Sequence, residues 1–358
     1  MTLPLGELRI GPLRLDFPVV QAALSGYSDM PMRLIARRMG APYTLCEVML
    51  DKFIVELKPR RKNRHFLHVA DEEHPTGGQL MGADPTDFAP AALRLVENGF
   101  DVIDINFGCP VKKVLGRCRG GFHLSQPEIA LEIVRRVRDA VPAHIPVTVK
   151  MRRGIDDSAE SRDRFYEIFD GAFALGVAAI TVHGRTVKQR YDGPSRWEFL
   201  RELKQHAGDR VVLGSGDLFS AQACLDMIEY TGVDGVTVAR GAIGNPWIFN
   251  QVRALAAGEA LPDPPTLNEQ REVIREHYRL AEELYGAERC LPDMRKFAIK
   301  YSQLHPQHLE VRADFCSVRI PGGWSDVLER WYATDAPGVH PTVDVPNPCS
   351  TDAALASL

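Results

Sequence analysis

A cysteine directly after a β-rich run is the first residue whose type and position suggest chemistry. Cys109 lies in the segment NFGCP, and the loop that follows carries the cations Lys112, Lys113, Arg117 and Arg119. A free thiol has a pKa of about 8.5, so it is protonated at neutral pH and acidic enough to donate. The position predicts a proton donor to a carbanion-like carbon. Two alternatives stay open: a nucleophilic thiolate favoured by the cations, or a small buried apolar residue.

A lysine, a histidine and a glutamine stand in three further β-rich runs. Lys150 and His183 are expected on neighbouring strands that face one pocket, and Gln79 lies on a third strand. Burying a lysine is unfavourable unless it meets an anion or a polar ring. The three residues suit the rim of an isoalloxazine ring, where Lys150 would stabilise negative charge and Gln79 would bond the pyrimidine edge. A salt bridge of Lys150 or a core role for His183 is the alternative.

Two glycine-bearing turns follow the last two β-rich runs. They read GSGD at 214–217 and ARG at 239–241. Small residues at such turns let backbone N–H groups approach an anion, and Arg240 adds a charge-assisted bond. GSGD alone is as well explained by a tight turn. The two turns together predict a phosphate site.

These residues need elements to position them, and eight β-rich runs alternate with amphipathic segments. The runs are 18–24, 43–49, 76–82, 101–108, 146–152, 178–184, 210–216 and 234–240. They are nearly continuous in apolar character, as strands covered on both faces should be. The alternation predicts an α/β fold, a (β/α)8 TIM barrel with its active site at the carboxyl ends of the strands. An open doubly wound sheet is the alternative.

Helix signals fall between the strands and again beyond them. Helices are predicted at 83–99, at 125–141 with Ser125 as N-cap, and at 220–232 with a glycine C-cap. After the Pro-rich segment 258–269, strand alternation stops and helical patterns appear at 271–286, 291–305 and 324–333. We therefore predict a barrel over residues 1–255, a small helical domain over 265–335 and a disordered tail over 336–358.

Composition excludes several classes of protein. The chain has 358 residues, 45% hydrophobic and 25% charged, with a formal net charge of −4. No apolar run approaches the roughly 20 residues that span a bilayer, and the N-terminus lacks a signal-peptide core, so we expect a cytoplasmic protein. The seven cysteines are scattered without CxxC spacing, which predicts neither a metal site nor disulfides. A slightly negative net charge still permits a local basic groove.

Several of these segments together resemble the tRNA-dihydrouridine synthase family over about residues 10–330. INFGCPVKKV is similar to the family's N-x-GCP-x-KKV signature, and GGQLMGADP to its Q-L-x-G-x-x-P motif. The opening AALSGYSDMPMRLIARRMGA, the segment CEVM, and VTVKMRRG, TVHGRT, GSGD and ARGAIGNPWIF complete the match. This resemblance implies an enzyme in which NADPH reduces FMN. Hydride then passes from the flavin to C6 of a uridine in tRNA, while a thiol protonates C5.

The resemblance also implies a role for individual residues. FMN would contact the backbone of Ala22, Ala23 and Leu24, the side chains of Gln79, Lys150 and His183, and, near its phosphate, Ser215, Gly216, Asp217, Ala239 and Arg240. Cys109 would be the catalytic proton donor. Asn106 would read the uracil edge, and Arg295 and Lys296, with Tyr301, would bind tRNA in the helical domain. Arg152 and Arg185 are predicted as substrate-binding residues from their charge and their position on the barrel rim. The expected partner is tRNA bound to a monomer.

A flipped-out base needs a positive cleft. Its rim is predicted from the basic runs at 58–65 and 112–119, Arg152-Arg153, and Arg185 with Lys188 and Arg190. A solvated face is the alternative for each run.

The sequence departs from the family pattern at three places. Ala23-Leu24 replaces Pro-Met, and Ser215 stands where asparagine is common. The segment LGRCRGGFHL, beside Cys109, replaces a G-x-G-x-x-LL run and puts the choice of substrate in doubt more than the chemistry. Three other functions stay open: the same reaction on another RNA such as rRNA, an FMN barrel reducing a free small molecule, and an RNA-binding module without turnover.

Overall fold

Eight parallel strands close into a barrel in the computed structural model, which describes residues 5–58, 63–320 and 322–341. The barrel strands are β3 (Val19–Gln21), β4 (Thr44–Leu45), β6 (Thr76–Met81), β7 (Val102–Phe107), β8 (Val147–Arg152), β9 (Ala179–His183), β10 (Val212–Ser215) and β11 (Gly235–Val238). Each pairs with its neighbour in chain order, β11 pairs with β3, and β4 pairs with β6. The predicted TIM barrel and all eight strands are confirmed.

The second barrel strand is interrupted. Its continuation β5 (Met49–Leu50) pairs with the far end of β6, and Cys46, Glu47 and Val48 lie between the two pieces. The predicted single strand 43–49 was therefore wrong in its continuity. The break directs Glu47 toward the connection after β3, since Gly26 donates its N–H to the Glu47 Oε2 at 2.7 Å.

Helices surround the barrel. They are α1 (Met30–Arg38), α2 (Asp51–Glu56), α3 (Arg64–Leu67), α4 (Pro85–Glu97), α5 (Lys112–Leu115), α6 (Pro127–Ala140), α7 (Ala159–Ala174), α8 (Trp197–Ala207), α9 (Ala221–Thr231) and α10 (Ile248–Ala256). Gly232 is the C-cap of α9, as predicted. Ser125 is not the N-cap of α6: Gln126 takes that position, and the Ser125 hydroxyl donates to the Phe122 carbonyl at 2.7 Å.

The inside of the barrel is apolar at its amino end and polar at its carboxyl end. A hairpin that the sequence analysis missed, β1 (Leu8–Ile10) and β2 (Leu13–Leu15), packs its apolar side chains against Val20, Tyr43 and Leu45 at the amino end. Further along the strands, the same alternation brings polar residues such as Asp104 and Thr148 together. The polar side chains inside the barrel therefore lie toward the carboxyl ends of the strands, where active sites of such barrels are found.

Four helices form the C-terminal part. They are α11 (Leu267–Tyr285), α12 (Ala287–Tyr301), α13 (His308–Ser317) and α14 (Gly322–Trp331). α13 was not predicted, because its apolar residues lack a clear helical period. The first residues of the predicted tail are not disordered: Ala336 accepts a hydrogen bond from the Leu267 N–H, and Val339 donates to the Leu304 carbonyl. Residues 342–358 lie outside the described residues.

Candidate active site

The barrel register brings the predicted residues to one end of the barrel. Asn106 is paired with Lys150, and His183 is paired with both Arg152 and Ser215. Alternation along each strand then turns these side chains to the same side, toward the barrel axis. The residues expected on four neighbouring strands therefore face one mouth.

A buried polar network lies under this mouth. Gln79 donates through Nε2 to Asp104 Oδ2 at 2.7 Å, and its Oε1 accepts from Asn106 Nδ2 at 2.8 Å. Thr148 also donates to Asp104, at 2.6 Å. Burial raises the pKa of the Asp104 carboxyl, while these two donors and Lys150 oppose the rise. Asp104 was missed in the sequence, although it alternates with Asn106 on the same strand and so had to face inward.

Asn106 fixes the start of the loop that carries Cys109. Its Oδ1 accepts from the N–H groups of Gly108 and Cys109, both at 3.0 Å. Both lone pairs of Oδ1 are thus used, and one of the two hydrogens on Nδ2 stays free because the other is donated to Gln79. The remaining hydrogen is a donor that a carbonyl oxygen in the mouth would satisfy.

The Cys109 thiol is partly exposed and protonated. Burial raises its pKa, and the Val111 N–H and the Arg152 charge lower it less. The neighbouring cations therefore do not convert this cysteine into a thiolate, and it is not an apolar core residue. Gly120 backs it so closely that a Cβ at that glycine would lie 2.8 Å from the Cys109 Cβ. The divergent segment 115–124 thus shapes the surroundings of the thiol.

Lys150 and His183 form one wall of the mouth. Burial and the charge of Arg152 lower the pKa of Lys150 to about 8, and Asp104 partly offsets this. Burial and four nearby cations lower the pKa of His183 well below its usual range, so the ring is neutral. Its Nδ1 accepts from the Arg185 N–H at 3.2 Å, which leaves the proton of a neutral ring on Nε2. Both residues therefore offer donors to the mouth.

The turn after β10 is held by Asp217. This carboxylate accepts from the Ser195 N–H at 2.8 Å and pairs with Arg185 at 2.8 Å. Its own φ is 61°, and Gly216 has a φ of 117° that a residue with a Cβ would rarely adopt. A Cβ at Gly216 would also lie 2.4 Å from the Ser195 hydroxyl. The Asp217 carboxylate is therefore bonded to Ser195 and Arg185, and these bonds fix the shape of the predicted phosphate turn.

Arg152, predicted to bind substrate, has a structural role as well. It is buried, and it donates to the carbonyls of Gly108 at 3.0 Å, Thr186 at 2.8 Å and Arg190 at 2.7 Å. These bonds tie the loop after β7 to the loop after β9. Arg152 thus holds the Cys109 loop, and its charge still acts on the mouth.

The cations at the mouth outnumber their carboxylate partners. Asp217 pairs with Arg185 and, at 3.7 Å, with Arg240. In the described part of the chain, Lys150 and Arg152 have no carboxylate within ion-pairing distance, and the buried Arg185 Nη1 has no hydrogen-bond partner. An excess of positive charge with an orphaned donor suits an anionic ligand.

An exposed tyrosine on this side of the mouth was also missed. Tyr191 is 51% exposed, and the Arg240 and Arg152 guanidinium carbons lie 4.7 Å and 5.7 Å from its ring centre. Nothing in its sequence position after the TVHGRT motif predicted that Tyr191 contacts these arginines. Arg240 itself packs over Phe219 as well, at 4.9 Å.

The remaining cofactor expectations fall on the ends of β3 and β11. Ala22 is buried and donates its N–H to the Val238 carbonyl at 2.9 Å, while Ala23 and Leu24 are partly exposed. Ala239 precedes the single turn at Arg240–Ala242. These residues directly follow β3 and β11, at the same end of the barrel as Lys150, so the positions stay compatible with a flavin contact.

The predicted RNA-binding cations are divided in two groups. Lys112, Lys113 and Arg117 are exposed, whereas Arg153 is buried and bonds to Gly184, Asp157 and Gln189. Of the run 58–65, residues 59–62 lie outside the described residues.

The three residues predicted to bind RNA in the helical domain have different surroundings. Tyr301 is a core residue, 2% exposed, with its hydroxyl 2.9 Å from His277 Nδ1. Arg295 donates to the Val318 carbonyl at 2.8 Å, and its Nε is buried. Lys296 is different, because its Nζ lies 5.5 Å from the Tyr27 ring of the barrel and its side chain is 31% exposed. Basic residue type alone did not separate these roles.

Comparison with known proteins gives a consistent result. A family model described as dihydrouridine synthase (Dus) matches residues 20–329. The probable tRNA-dihydrouridine synthase of Mycobacterium tuberculosis is 35% identical over 340 residues, covering 92% of this chain and 86% of the relative. The tRNA-dihydrouridine synthase B of Xanthomonas axonopodis pv. citri is 32% identical over 341 residues, covering 94% and 99%.

A solved structure extends the comparison to the fold. Histamine dehydrogenase from Rhizobium sp. 4-9 superposes with a TM-score of 0.55 at 15% identity, covering 77% of this chain. The chain spans about half the length of that protein (51%), so the likeness concerns the fold alone. Separately, none of the described helices is both long and apolar enough to cross a membrane.

Proposed function

The chain belongs to the dihydrouridine synthase family of flavin-dependent oxidoreductases, and from that premise we propose that it reduces the C5=C6 bond of uridines in tRNA. FMN is the proposed cofactor and NADPH the proposed reductant. The observation that carries the proposal is the position of a partly exposed thiol, Cys109, beside a mouth whose cations outnumber their carboxylate partners in the described part of the chain. Residues 1–255 would form the catalytic domain and residues 265–335 the RNA-binding domain.

The mouth fits a flavin phosphate and a flavin ring. Arg240, the orphaned Nη1 of Arg185 and the turn at Gly216 would hold the phosphate. Lys150, with a pKa of about 8, keeps most of its charge at neutral pH and would stabilise negative charge on the ring. Gln79, His183, Ser215 and Ala239, with the backbone of Ala22 to Leu24, would line the rest. A bound flavin would supply the hydride that reaches C6 of the base.

The chain's own residues would supply the proton and the alignment. Cys109, held by Asn106, would donate its proton to C5 on the side of the base opposite the flavin. The free Asn106 hydrogen would bond a uracil carbonyl, and Arg152 would fix the thiol loop through Gly108. Solvent must then return a proton to Cys109, which its partial exposure permits.

RNA is favoured over a free pyrimidine by the appended helices α11 to α14 and by the exposed cations on the Cys109 loop. A uridine inside folded RNA has to leave its stack to reach the mouth. The free energy lost in unstacking must be offset by contacts between the RNA and the protein outside the mouth. Lys296 lies at the domain boundary, where it would face the bound strand.

The test uses the purified full-length chain, unmodified tRNA transcript and NADPH. We expect bound FMN after purification and dihydrouridine in the tRNA by mass spectrometry, with parallel arms for NADH, ribosomal RNA and free uridine. If dihydrouridine forms only with ribosomal RNA, or only with free uridine, that molecule and not tRNA is the substrate. Absence of flavin, or of product in every arm, would overturn the proposal.

A further inference from the structure

The connection between β3 and α1, residues 22–29, is held by bonds to several parts of the barrel. The Leu24 N–H donates to the Ser28 hydroxyl at 2.8 Å, and the Gly26 N–H donates to Glu47 at 2.7 Å. Glu47 in turn donates its N–H to the Ser28 carbonyl at 3.1 Å. The backbone at the start of this connection is the proposed flavin contact.

A buried ion pair supports the connection from behind. Arg33 donates to Glu73 at 2.6 Å, and the two side chains are 3% and 0% exposed. Arg33 also donates to the Ser28 carbonyl at 2.9 Å. Because a buried charge pair tolerates little displacement without losing its compensation, the position of Ser28 is tightly fixed.

The helical domain contacts the same connection. The Tyr285 hydroxyl, at the end of α11, donates to the Asp29 Oδ2 at 2.9 Å. The other carboxylate oxygen of Asp29 accepts the Met32 N–H and caps α1. Two residues before Asp29, the ring of Tyr27 packs edge-on against Phe297 with the ring centres 5.4 Å apart, and the Lys296 Nζ lies 5.5 Å from its ring centre.

We propose that this connection couples RNA binding on the helical domain to cofactor binding in the barrel, with the Tyr285–Asp29 hydrogen bond as the link. The inference rests on the proposed function, because it takes FMN and RNA as the two ligands. Because these hydrogen bonds fix residues 22–29 to α11, the arrangement of the connection that favours binding of one ligand also favours binding of the other. In this proposal Tyr285 is a positioning residue, which acts through Asp29. Coupling of this kind is reciprocal.

The test measures FMN release from the full-length holoenzyme after dilution, without NADPH, in the absence and presence of saturating unmodified tRNA transcript. We expect tRNA to slow the release by roughly five- to tenfold, within the usual range of coupling between sites. Tyr285→Phe removes only the hydroxyl, so release without RNA should stay within about twofold while most of the RNA effect is lost. RNA affinity of the variant is measured in the same buffer.

Tyr230→Phe is the matched control, since Tyr230 is 41% exposed on α9 and its hydroxyl donates to Glu198 at 3.4 Å, far from residues 22–29 along the chain. It should keep the full RNA effect. If tRNA does not change FMN release from the native protein, or if Tyr285→Phe responds as the native protein does, the inference is wrong while dihydrouridine formation can still proceed. Failure to bind FMN at all would instead contradict the proposed function.

Discussion

Charged residues at the barrel mouth and on the helical domain look alike in sequence and behave differently in the structure. At the mouth, Lys150 and Arg152 have no carboxylate in ion-pairing distance among the described residues, and Arg185 and Arg240 share Asp217. On the helical domain, Arg279 pairs with both Glu276 and Glu283, and Arg289 lies 3.7 Å from Asp293. The mouth holds uncompensated charge, and the helical domain largely neutralises its own.

The difference shows where a ligand is needed. Paired surface charges contribute little free energy and make no demand on a partner molecule. Uncompensated charge in a partly buried mouth is unfavourable until an anion arrives. We therefore expect substitutions at the mouth to have large effects and substitutions in the helical domain to have smaller effects that can be measured separately.

The largest effect is expected from Cys109→Ala. Loss of a positioned general acid lowers a rate by about 10²- to 10⁴-fold. Dihydrouridine formation in a single turnover should fall by that factor, while FMN binding and NADPH oxidation stay unchanged. Cys118→Ala is the control, because Cys118 is exposed on the same loop. Unchanged product yield in Cys109→Ala would remove this thiol from the mechanism.

Lys150→Gln should follow in size. Removing one preorganised group that stabilises developing charge slows the reaction by about 10²- to 10³-fold. We expect slower flavin reduction by NADPH in a stopped-flow measurement. Lys52→Gln, at a 59% exposed lysine paired with Asp87, should differ little from the native protein. Equal rates in both variants would mean that uncompensated charge at the mouth has no chemical role.

The sequence pattern predicted the barrel well because the side chains of each strand point alternately to the surrounding helices and to the barrel interior. The strand ends with Gln79, Asn106, Lys150 and His183 were predicted for the same reason. What it missed depends on contacts between distant segments: Asp104 bonds to Thr148 and Gln79, and Glu47 reaches Gly26 only because the second strand is broken. The sequence also did not show that Arg152 holds the Cys109 loop, because its carbonyl partners belong to other loops.

The pH dependence should be one-sided. Protonated Cys109 and charged Lys150 are both needed, so the reaction slows as pH rises through either pKa. Since Lys150 has a pKa of about 8 and that of Cys109 is raised above its usual value, the decline should begin near the lysine value. The rate then falls about tenfold per pH unit. In Lys150→Gln the remaining decline should start at higher pH, and a profile that falls toward low pH would contradict both roles.

The smallest effects should separate Arg295 from Lys296, which the sequence treats as one basic pair. Arg295 is bonded to the Val318 carbonyl, so Arg295→Gln should lower the free energy of unfolding by about 1–3 kcal/mol. Lys296 is partly exposed beside Tyr27, so Lys296→Gln should keep stability and weaken tRNA binding several-fold. If Lys296 contacts a phosphate, the slope of log affinity against log salt should also decrease by about one. Urea unfolding and tRNA binding at several salt concentrations measure both quantities, and the same change in both variants would mean that the domain's charges do not divide between structure and RNA.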